Sequence, residues 1–218
     1  MKILALEFSS PARSVAVAEN GAVLGRAAEQ GTRETKAFAL IESVLEQAQW
    51  RRDDIDCIAV GIGPGSYAGI RIAISIAQGW QLARGVKLLG ISSADCVAAQ
   101  VHDKGRRGIL NVLVDAQRGE MFAARYELEN EWSKVEGFAL VTADEQARRA
   151  AAGELMVRPD LDAAAAPDAA TIARLASVRT DHLTGPQLEP IYLRKAEFVK
   201  APPPRIIGGT GSASPHTE

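Results

Sequence analysis

The sequence predicts an α/β protein with a mixed sheet, on the basis of the order of its apolar segments. Residues 2–8 have the apolar run of a buried strand, and residues 13–19 and 22–28 follow as two further strands. The Asn20-Gly21 pair between these two is typical of a two-residue hairpin. Helices and strands alternate in the segments that follow, and this order suits a mixed sheet with helices packed against it.

The next predicted elements complete an N-terminal lobe over residues 1–107. The first helix, over residues 35–49, has apolar side chains at three- and four-residue spacing. Ser66 is placed to cap the second helix, and Gly85 to end it. The other predictions are strands over residues 57–62 and 87–91, the second helix over residues 66–84, and a helix that begins at Ser92 or Ser93.

A smaller C-terminal lobe is predicted over residues 108–200, followed by a tail over residues 201–218. The tail is rich in Pro, Gly, Ser and Thr and lacks apolar periodicity, which predicts disorder. The predicted elements of the lobe are strands over residues 109–114, 121–126 and 136–141, a short helix capped by Thr142 with Glu145, and a helix over residues 169–178 capped by Asp168.

Composition excludes several classes of protein. The 218 residues carry a formal net charge of −2, so no global field attracts nucleic acid or an anionic membrane. No segment reaches the roughly 18 uninterrupted apolar residues of a membrane span, and the N-terminus lacks the pattern of a signal peptide. Cys57 and Cys96 each lie in an apolar segment, as buried free thiols do. We expect a cytoplasmic protein.

The segment GIGPGSYAGIRIAISIAQGW, residues 61–80, has the strand, glycine loop and helix layout of many phosphate-binding sites. A P-loop requires Lys after its last glycine, whereas Ile70 follows Gly69 here. A dinucleotide fingerprint requires two residues between its second and third glycines, whereas three separate Gly65 from Gly69. Neither standard nucleotide motif is present.

A weaker anion site remains compatible with this loop. The amides of Gly65, Ser66 and Tyr67 would lie at a helix N-terminus, where partial positive charge favours an anion. The alternative is a tight strand-to-helix turn with Ser66 as its cap, and we favour this turn. An acid at the end of the first strand could hold a nucleotide-bound cation, or serve in capping. The candidate vestigial nucleotide or anion site consists of Glu7, Ser9, Ser10, Gly63, Gly65 and Ser66.

Catalytic patterns are missing from the sequence. None of His102, His182 and His216 has a second histidine or a cysteine three or four residues away, so a catalytic metal site is not predicted. Ser66 lacks the flanking glycines of an esterase nucleophile elbow. We therefore predict no catalytic residue and no metal ligand.

Two helices have more apolar surface than one buried face requires. The helix over residues 66–84 is apolar nearly all round, and Leu40 lies off the main apolar stripe of the helix over residues 35–49. Such helices are either covered within the chain or meet another protein. The predicted partner-binding residues are Phe38, Leu40, Ile41, Val44, Leu45, Ile70, Ile74 and Ala77.

Four segments, in order, resemble those of the TsaB family. GPGSYAGIRI is similar to the family signature Gly-Pro-Gly-Ser-Phe-Thr-Gly-Leu-Arg-Ile, and ILALEFSS is similar to its opening Ile-Leu-Ala-Ile-Asp-Thr-Ser. The run DAQRGEMF, which begins at Asp115, resembles Asp-Ala-Arg-x-Gly-Glu-Val-Tyr. EPIYLR, which begins at Glu189, resembles the closing Pro-x-Tyr-Leu-Arg. The resemblance spans residues 2 to about 196.

The resemblance implies the actin/hexokinase/Hsp70-like ATPase (ribonuclease H-like) fold, with two lobes of which the second is reduced. It also implies a non-catalytic dimerization or scaffold subunit. With TsaD and TsaE, such a subunit supports threonylcarbamoyl transfer to the adenosine beside the anticodon of tRNAs that read ANN codons, using an adenylate made by TsaC. The family pairs with TsaD, or with a second copy of itself, through its early helices. The resemblance implies that no cofactor is required, although weak binding of ATP or ADP is compatible with it. It also implies that this subunit contacts tRNA only indirectly, through the complex.

The sequence departs from the family pattern at three places. Glu7 replaces the usual Asp, residues 33–34 differ before the pairing helix, and Tyr67-Ala68 replaces Phe-Thr. The changes at Glu7 and at Tyr67-Ala68 weaken the expectation that this chain contacts a nucleotide. Two alternatives therefore stay open: an active ATP-using enzyme of the same fold and, ranked last, a peptidase, because relatives carry a glycoprotease label.

Overall fold

The computed structural model describes residues 1–30, 35–116 and 120–193 of the chain. Within these ranges the chain forms a five-stranded sheet and a four-stranded sheet. The first sheet consists of β1 (Lys2–Glu7), β2 (Ala12–Glu19), β3 (Ala22–Gln30), β4 (Cys57–Gly61) and β5 (Lys87–Ile91). The second consists of β6 (Gly108–Asp115), β7 (Met121–Leu128), β8 (Trp132–Val141) and β9 (Leu155–Val157). The helices are α1 (Ala37–Ala48), α2 (Tyr67–Arg84), α3 (Ser93–Asp103), α4 (Ala143–Ala151) and α5 (Ala169–Ser177).

The first sheet has the strand order β3-β2-β1-β4-β5. β1, β2 and β3 pair antiparallel, whereas β4 and β5 add in parallel beside β1. Asn20 and Gly21 adopt φ angles of 50° and 86°, as a two-residue turn between twisted strands requires. The predicted hairpin and mixed sheet are confirmed, and the order is that of the ribonuclease H-like lobe of the predicted fold class.

Helices cover both faces of this sheet. Because successive side chains of a strand point to opposite faces, Leu4 and Leu6 pack with α1 and α2, whereas Ile3 and Ala5 pack with α5. The first of these cores is built from large aliphatic side chains, and the second is rich in alanine. Both faces of the central strand are therefore buried within the chain.

The second sheet has the order β8-β7-β6-β9 and is covered on one side by α3. Tyr126 of β7 is fully buried there, and its hydroxyl donates to Asp95 Oδ1 of α3 at 2.7 Å. Since α3 also contributes Cys96 to the core of the first sheet, it lies between the two lobes. The predicted two-lobed α/β architecture is confirmed.

Helix α5 belongs to the first lobe, although the sequence analysis placed its residues in the second. Its side chains Ile172 and Ala173 are fully buried against β1 and β2, and Asp168 caps it by accepting from the Thr171 amide at 2.8 Å. Local sequence signals identify the helix and its cap, but they do not show to which sheet the chain returns. The predicted tail over residues 201–218 and the departure at residues 33–34 lie outside the described residues.

Candidate functional site

The glycine loop between β4 and α2 packs directly on the turn after β1. The Ser66 amide donates to the carbonyl oxygen of Ser9 at 2.7 Å, and Ser66 Oγ accepts from the Gly69 amide at 3.3 Å. Ser66 is therefore the cap of α2, as its sequence position predicts. One of the three amides proposed for an anion is occupied by the chain itself, which agrees with the interpretation of this loop as a strand-to-helix turn.

Gly65 of this loop and Gly69 in the first turn of α2 are required by the close approach of the β1–β2 turn. A Cβ at Gly69 would lie 2.0 Å from the carbonyl oxygen of Phe8, and one at Gly65 would lie 2.2 Å from that of Ser9. Real Cβ atoms do not approach backbone oxygens so closely. The glycine pattern that resembles a phosphate loop therefore has a packing function that needs no ligand.

Glu7 at the end of β1 braces the same loop from beneath. Its side chain is fully buried; Oε1 accepts from the Ser9 amide at 2.7 Å, and Oε2 accepts from Ser93 Oγ at 2.9 Å. Ser93 Oγ in turn accepts from the Gly63 amide at 3.2 Å, and the Ser93 amide donates to the Gly63 carbonyl at 2.8 Å. The carboxylate thus connects β1, the loop and α3.

Burial raises the pKa of Glu7 above its ordinary value, because the charged form loses its hydration. The hydrogen bonds from Ser9 and Ser93 favour the carboxylate and act in the opposite direction. The longer side chain also fills the available space: a Cβ at Gly61 would lie 1.9 Å from Glu7 Oε2. An acid held in this way has a structural role: its hydrogen bonds connect the end of β1 to α3 and, through Ser93, to the glycine loop.

Between the lobes lies a cleft of about 310 Å³, which we call the interlobe cleft. Ser9, Ser10, Gly65 and Ser66 of the predicted site line it, whereas Glu7 and Gly63 lie outside its lining. The facing wall adds Ser93 and the carboxylates Asp115 and Asp160. Among the described residues that line this cleft there is no lysine or arginine, so its charge does not favour a phosphate group.

The structure corrects most of the predicted partner surface. Six of the eight side chains lie in the core between the first sheet and the two helices, each no more than 6% exposed: Ile41, Val44, Leu45, Ile70, Ile74 and Ala77. Their three- and four-residue spacing marks the face that each helix turns toward its own sheet. Phe38 is 62% exposed and Leu40 is half-buried, so these two remain at the surface.

A groove of about 590 Å³ runs between α1 and α2 on the outer side of these helices. We call it the α1–α2 groove. Its apolar lining consists of Phe38, Ile76, Gly79, Trp80 and Ala83. Its polar edge includes Arg84 and Asp53, joined at 2.8 Å as an exposed ion pair. Apart from Phe38, sequence analysis did not predict these residues as part of a binding surface. The sequence feature that indicated them was the apolar character of α2 on nearly all of its sides.

Other reactive groups are buried or dispersed. Cys57 and Cys96 are buried free thiols, as predicted, and burial raises the pKa of both. In the part of the chain that the structure describes, no group of three or more His, Cys, Asp or Glu side chains could hold a metal ion. No helix there is long and apolar enough to cross a bilayer. His216 lies outside the described residues.

Comparison with known proteins gives one matching family and several relatives. The family described as TsaD, tRNA N6-adenosine threonylcarbamoyltransferase, matches residues 32–156, more than half of the chain. The tRNA threonylcarbamoyladenosine biosynthesis protein TsaB of Escherichia coli (strain K12) is 32% identical over 129 residues, which is 58% of this chain and 55% of that protein. The protein of the same name from Bacillus subtilis (strain 168) is 26% identical over 134 residues, 60% of this chain and 57% of that protein.

These alignments cover only part of each protein: the chain spans about half the length of the curated relatives it matches. A solved structure extends the likeness. The crystal structure of an uncharacterized protein with similarity to peptidase YEAZ from Pseudomonas aeruginosa has a TM-score of 0.72 and 23% identity. It covers 88% of this chain and 99% of that one. This likeness concerns the fold.

Proposed function

The chain belongs to the TsaD family of tRNA N6-adenosine threonylcarbamoyltransferases, and we propose that within this family it is a non-catalytic subunit of the TsaB type. Its role is to hold a TsaD partner, together with TsaE, in the arrangement that transfers threonylcarbamoyl to tRNA. Relatives named as TsaB biosynthesis proteins support this assignment. We place the protein in the cytoplasm, where tRNA is modified.

The observation that carries the proposal is the α1–α2 groove. Two helices are anchored by six buried side chains, and the same helices leave Phe38, Ile76, Trp80 and Ala83 around an open apolar channel. Grooves of this kind accept the apolar face of a partner helix. The exposed ring of Phe38 at the edge is the type of side chain that supplies much of the binding energy at interfaces.

The interlobe cleft supports the non-catalytic part of the proposal. Both oxygens of Glu7 accept hydrogen bonds from the chain, so this acid is already used where an active enzyme of this fold class would need a cation ligand. Among the described residues that line the cleft there is no lysine or arginine, and Asp160 of its lining is ion-paired with Arg158 at 2.7 Å. We therefore propose that no cofactor is required, and that any ATP or ADP binding is weak and unnecessary for function.

A second copy of this chain could occupy the same groove, since both copies present the same apolar lining. A homodimer and a complex with TsaD would then exclude each other. The expected signature is a homodimer that dissociates on addition of TsaD, measured by analytical ultracentrifugation. Persistence of the homodimer inside a TsaD complex would contradict a shared groove.

The experiment that tests the function is threonylcarbamoyl transfer to tRNA, with TsaD, TsaE and TsaC present and this protein added or omitted. Transfer is expected to require both this protein and TsaD. Transfer without TsaD would make this protein the catalyst and would overturn the proposal. Stoichiometric ATP turnover by the isolated protein would favour the competing assignment as an active ATP-using enzyme of the same fold.

Two surface variants test the groove without disturbing the core. Phe38→Asp places a charge at its edge, and Gly79→Arg fills it, because a Cβ at Gly79 meets no atom within 4 Å. Both are expected to abolish copurification with TsaD and to reduce transfer. Val178→Asp is the control, since Val178 is also exposed, at 82% against 62% for Phe38, but follows α5 on the opposite face of the sheet. Full binding by both groove variants would locate the interface elsewhere.

A further inference from the structure

A cluster of two tyrosines and one arginine stands apart from both the α1–α2 groove and the interlobe cleft. Tyr67 and Arg71 lie in the first turns of α2, and Tyr192 is contributed by the segment after residue 187. The rings of Tyr67 and Tyr192 are 61% and 54% exposed, and their centroids lie 6.2 Å apart at an interplanar angle of 42°. The two rings thus form a contiguous exposed aromatic surface, and contiguous apolar patches, unlike single exposed side chains, are typical of interaction sites.

The arginine organises both rings. Arg71 Nη1 donates to the hydroxyl of Tyr67 at 2.7 Å and to that of Tyr192 at 3.4 Å, and its guanidinium carbon lies 5.1 Å from the centre of the Tyr67 ring. A guanidinium has five N–H donors, so those on Nε and Nη2 remain after these two bonds. The rings and the cation are therefore held in one arrangement before any ligand arrives.

The charge of Arg71 is not neutralised within the described part of the chain. There, no carboxylate oxygen lies within 4.0 Å of its guanidinium, and the first turn of α2 contains no acidic residue. An anionic group is thus the complement of the Arg71 guanidinium.

A polar cavity of about 300 Å³ adjoins the cluster. Arg71 and Tyr192 form one side of it, and Ser75, Gln78 and Glu189 supply hydrogen-bonding groups. Gln78 Nε2 donates to the Gly185 carbonyl at 2.8 Å, which holds this side chain in place. Donors and acceptors beside an aromatic platform are what the edge of a stacked base requires.

We propose that Tyr67, Arg71 and Tyr192 form a platform for an unpaired RNA nucleotide, whose base stacks on a tyrosine ring and whose phosphate meets the guanidinium. A nucleotide unites a flat π-system and an anion, the two features that this surface complements. The polar cavity receives the edge of the base. This inference goes beyond the proposed function, which gives this chain no direct contact with RNA.

The test uses the isolated full-length chain, so that its outcome does not depend on TsaD. Binding of a fluorescein-labelled single-stranded oligoadenylate is followed by fluorescence anisotropy, with the same strand paired to oligouridylate as the duplex competitor. We expect Tyr67→Ala and Tyr192→Ala each to weaken binding by about 5-fold or more, because stacking on an aromatic ring carries that much affinity per base. Tyr67→Phe and Tyr192→Phe keep the rings and are expected to keep most of the affinity.

Arg71→Gln separates the phosphate contact from stacking. It is expected to reduce the slope of log Kd against log salt by about 0.7, the value for one phosphate contact with a single strand. Leu140→Ala is the control, because this side chain is 55% exposed, close to the exposure of Tyr192, but lies on β8 of the second sheet. Its affinity for the oligonucleotide is expected to equal that of the wild type.

Three outcomes would overturn the platform. They are failure of the wild-type chain to bind the single strand, equal binding of the duplex, and unchanged affinity in both alanine variants. If these variants instead lost only copurification with TsaD, the cluster would be a protein contact. The proposed function would survive each of these results, since the transfer experiment tests it separately.

Discussion

The interlobe cleft and the α1–α2 groove use the same helix in opposite ways. At the cleft, the start of α2 is tied to the first strand: the Ser66 amide donates to Ser9, and Glu7 accepts from Ser9 and Ser93. At the groove, the middle of α2 presents Ile76 and Trp80 to an open channel. The Ser66 amide and both oxygens of Glu7 have hydrogen-bond partners within the chain in one region, and apolar surface is left uncovered in the other.

This difference indicates where a ligand has most to contribute. A region whose donors and acceptors already have partners gains little from another polar group, because binding must first break existing hydrogen bonds. An uncovered apolar channel gains free energy when a partner removes it from water. This contrast is the basis of our proposal that a partner helix binds at the groove and that no nucleotide is required at the cleft.

The largest expected effect separates the inner and outer faces of α1. Ile41→Ala leaves a cavity in a fully buried position and is expected to lower the free energy of unfolding by about 2–5 kcal/mol. Phe38→Ala removes an exposed ring and is expected to change it by less than about 0.5 kcal/mol. Urea unfolding measures the free energy of unfolding of both variants. Affinity for TsaD should be reduced more by Phe38→Ala than by Ile41→Ala. Equal destabilisation would contradict the assignment of the two faces.

Two glycines of α2 make a similar pair. Gly69→Ala forces a Cβ against the Phe8 carbonyl, and we expect a loss of about 3 kcal/mol in the free energy of unfolding. Gly79→Ala meets open space in the same helix and is expected to stabilise by about 0.5–1 kcal/mol. Thermal and urea unfolding of the two variants give the comparison. A tolerated alanine at position 69 would mean that the loop can move away from β1.

Glu7 beneath the glycine loop gives the stability of the fold a pH dependence. Because burial raises the pKa of Glu7 in the folded chain above the ordinary 4.5, its contribution is most favourable below pH 4.5 and is lost as pH rises through the folded pKa. The Glu7→Gln variant does not titrate, so its stability relative to the wild type is expected to increase with pH over this window. Urea unfolding at several pH values measures the trend, with the exposed Glu46→Gln as control. A constant difference would contradict a perturbed Glu7.

The smallest expected effect concerns the cap of α2. Ser66→Ala removes the acceptor of the Gly69 amide and is expected to cost about 0.5–1 kcal/mol of stability. The same variant should leave nucleotide affinity unchanged, as measured by isothermal titration calorimetry with ATP. A marked fall in ATP affinity in Ser66→Ala would restore the anion-site interpretation of the loop.

Local signals in the sequence were sufficient for most of the elements. Asn20-Gly21 marked the hairpin, Ser66 and Gly85 bounded α2, and Asp168 capped α5, because each acts through the backbone next to it. Three strands of the second sheet were predicted from their apolar patterns, whereas the short parallel strand β9 was not predicted.

The candidate sites depended on long-range packing, which local signals do not encode. Ile74 and Ile76 are the same residue type in the same apolar segment of α2, so the sequence does not distinguish them. In the structure, Ile74 is buried against the sheet, whereas Ile76 lines the groove. The acid at the end of β1 could equally have been a cation ligand, and only its contact with Ser93, 86 positions later, identifies it as a brace. Tyr192 meets Arg71 across 121 positions, so no spacing rule could have joined them.

The return of α5 to the first sheet has a consequence for how the protein is made. A nascent chain that ends before residue 169 leaves Ile3, Ala5 and Ala16 without the helix that covers them. The N-terminal lobe therefore cannot complete its core while the ribosome is still synthesising the second lobe. Although it is encoded first, this lobe completes its core only after residues 169–177 have been synthesised.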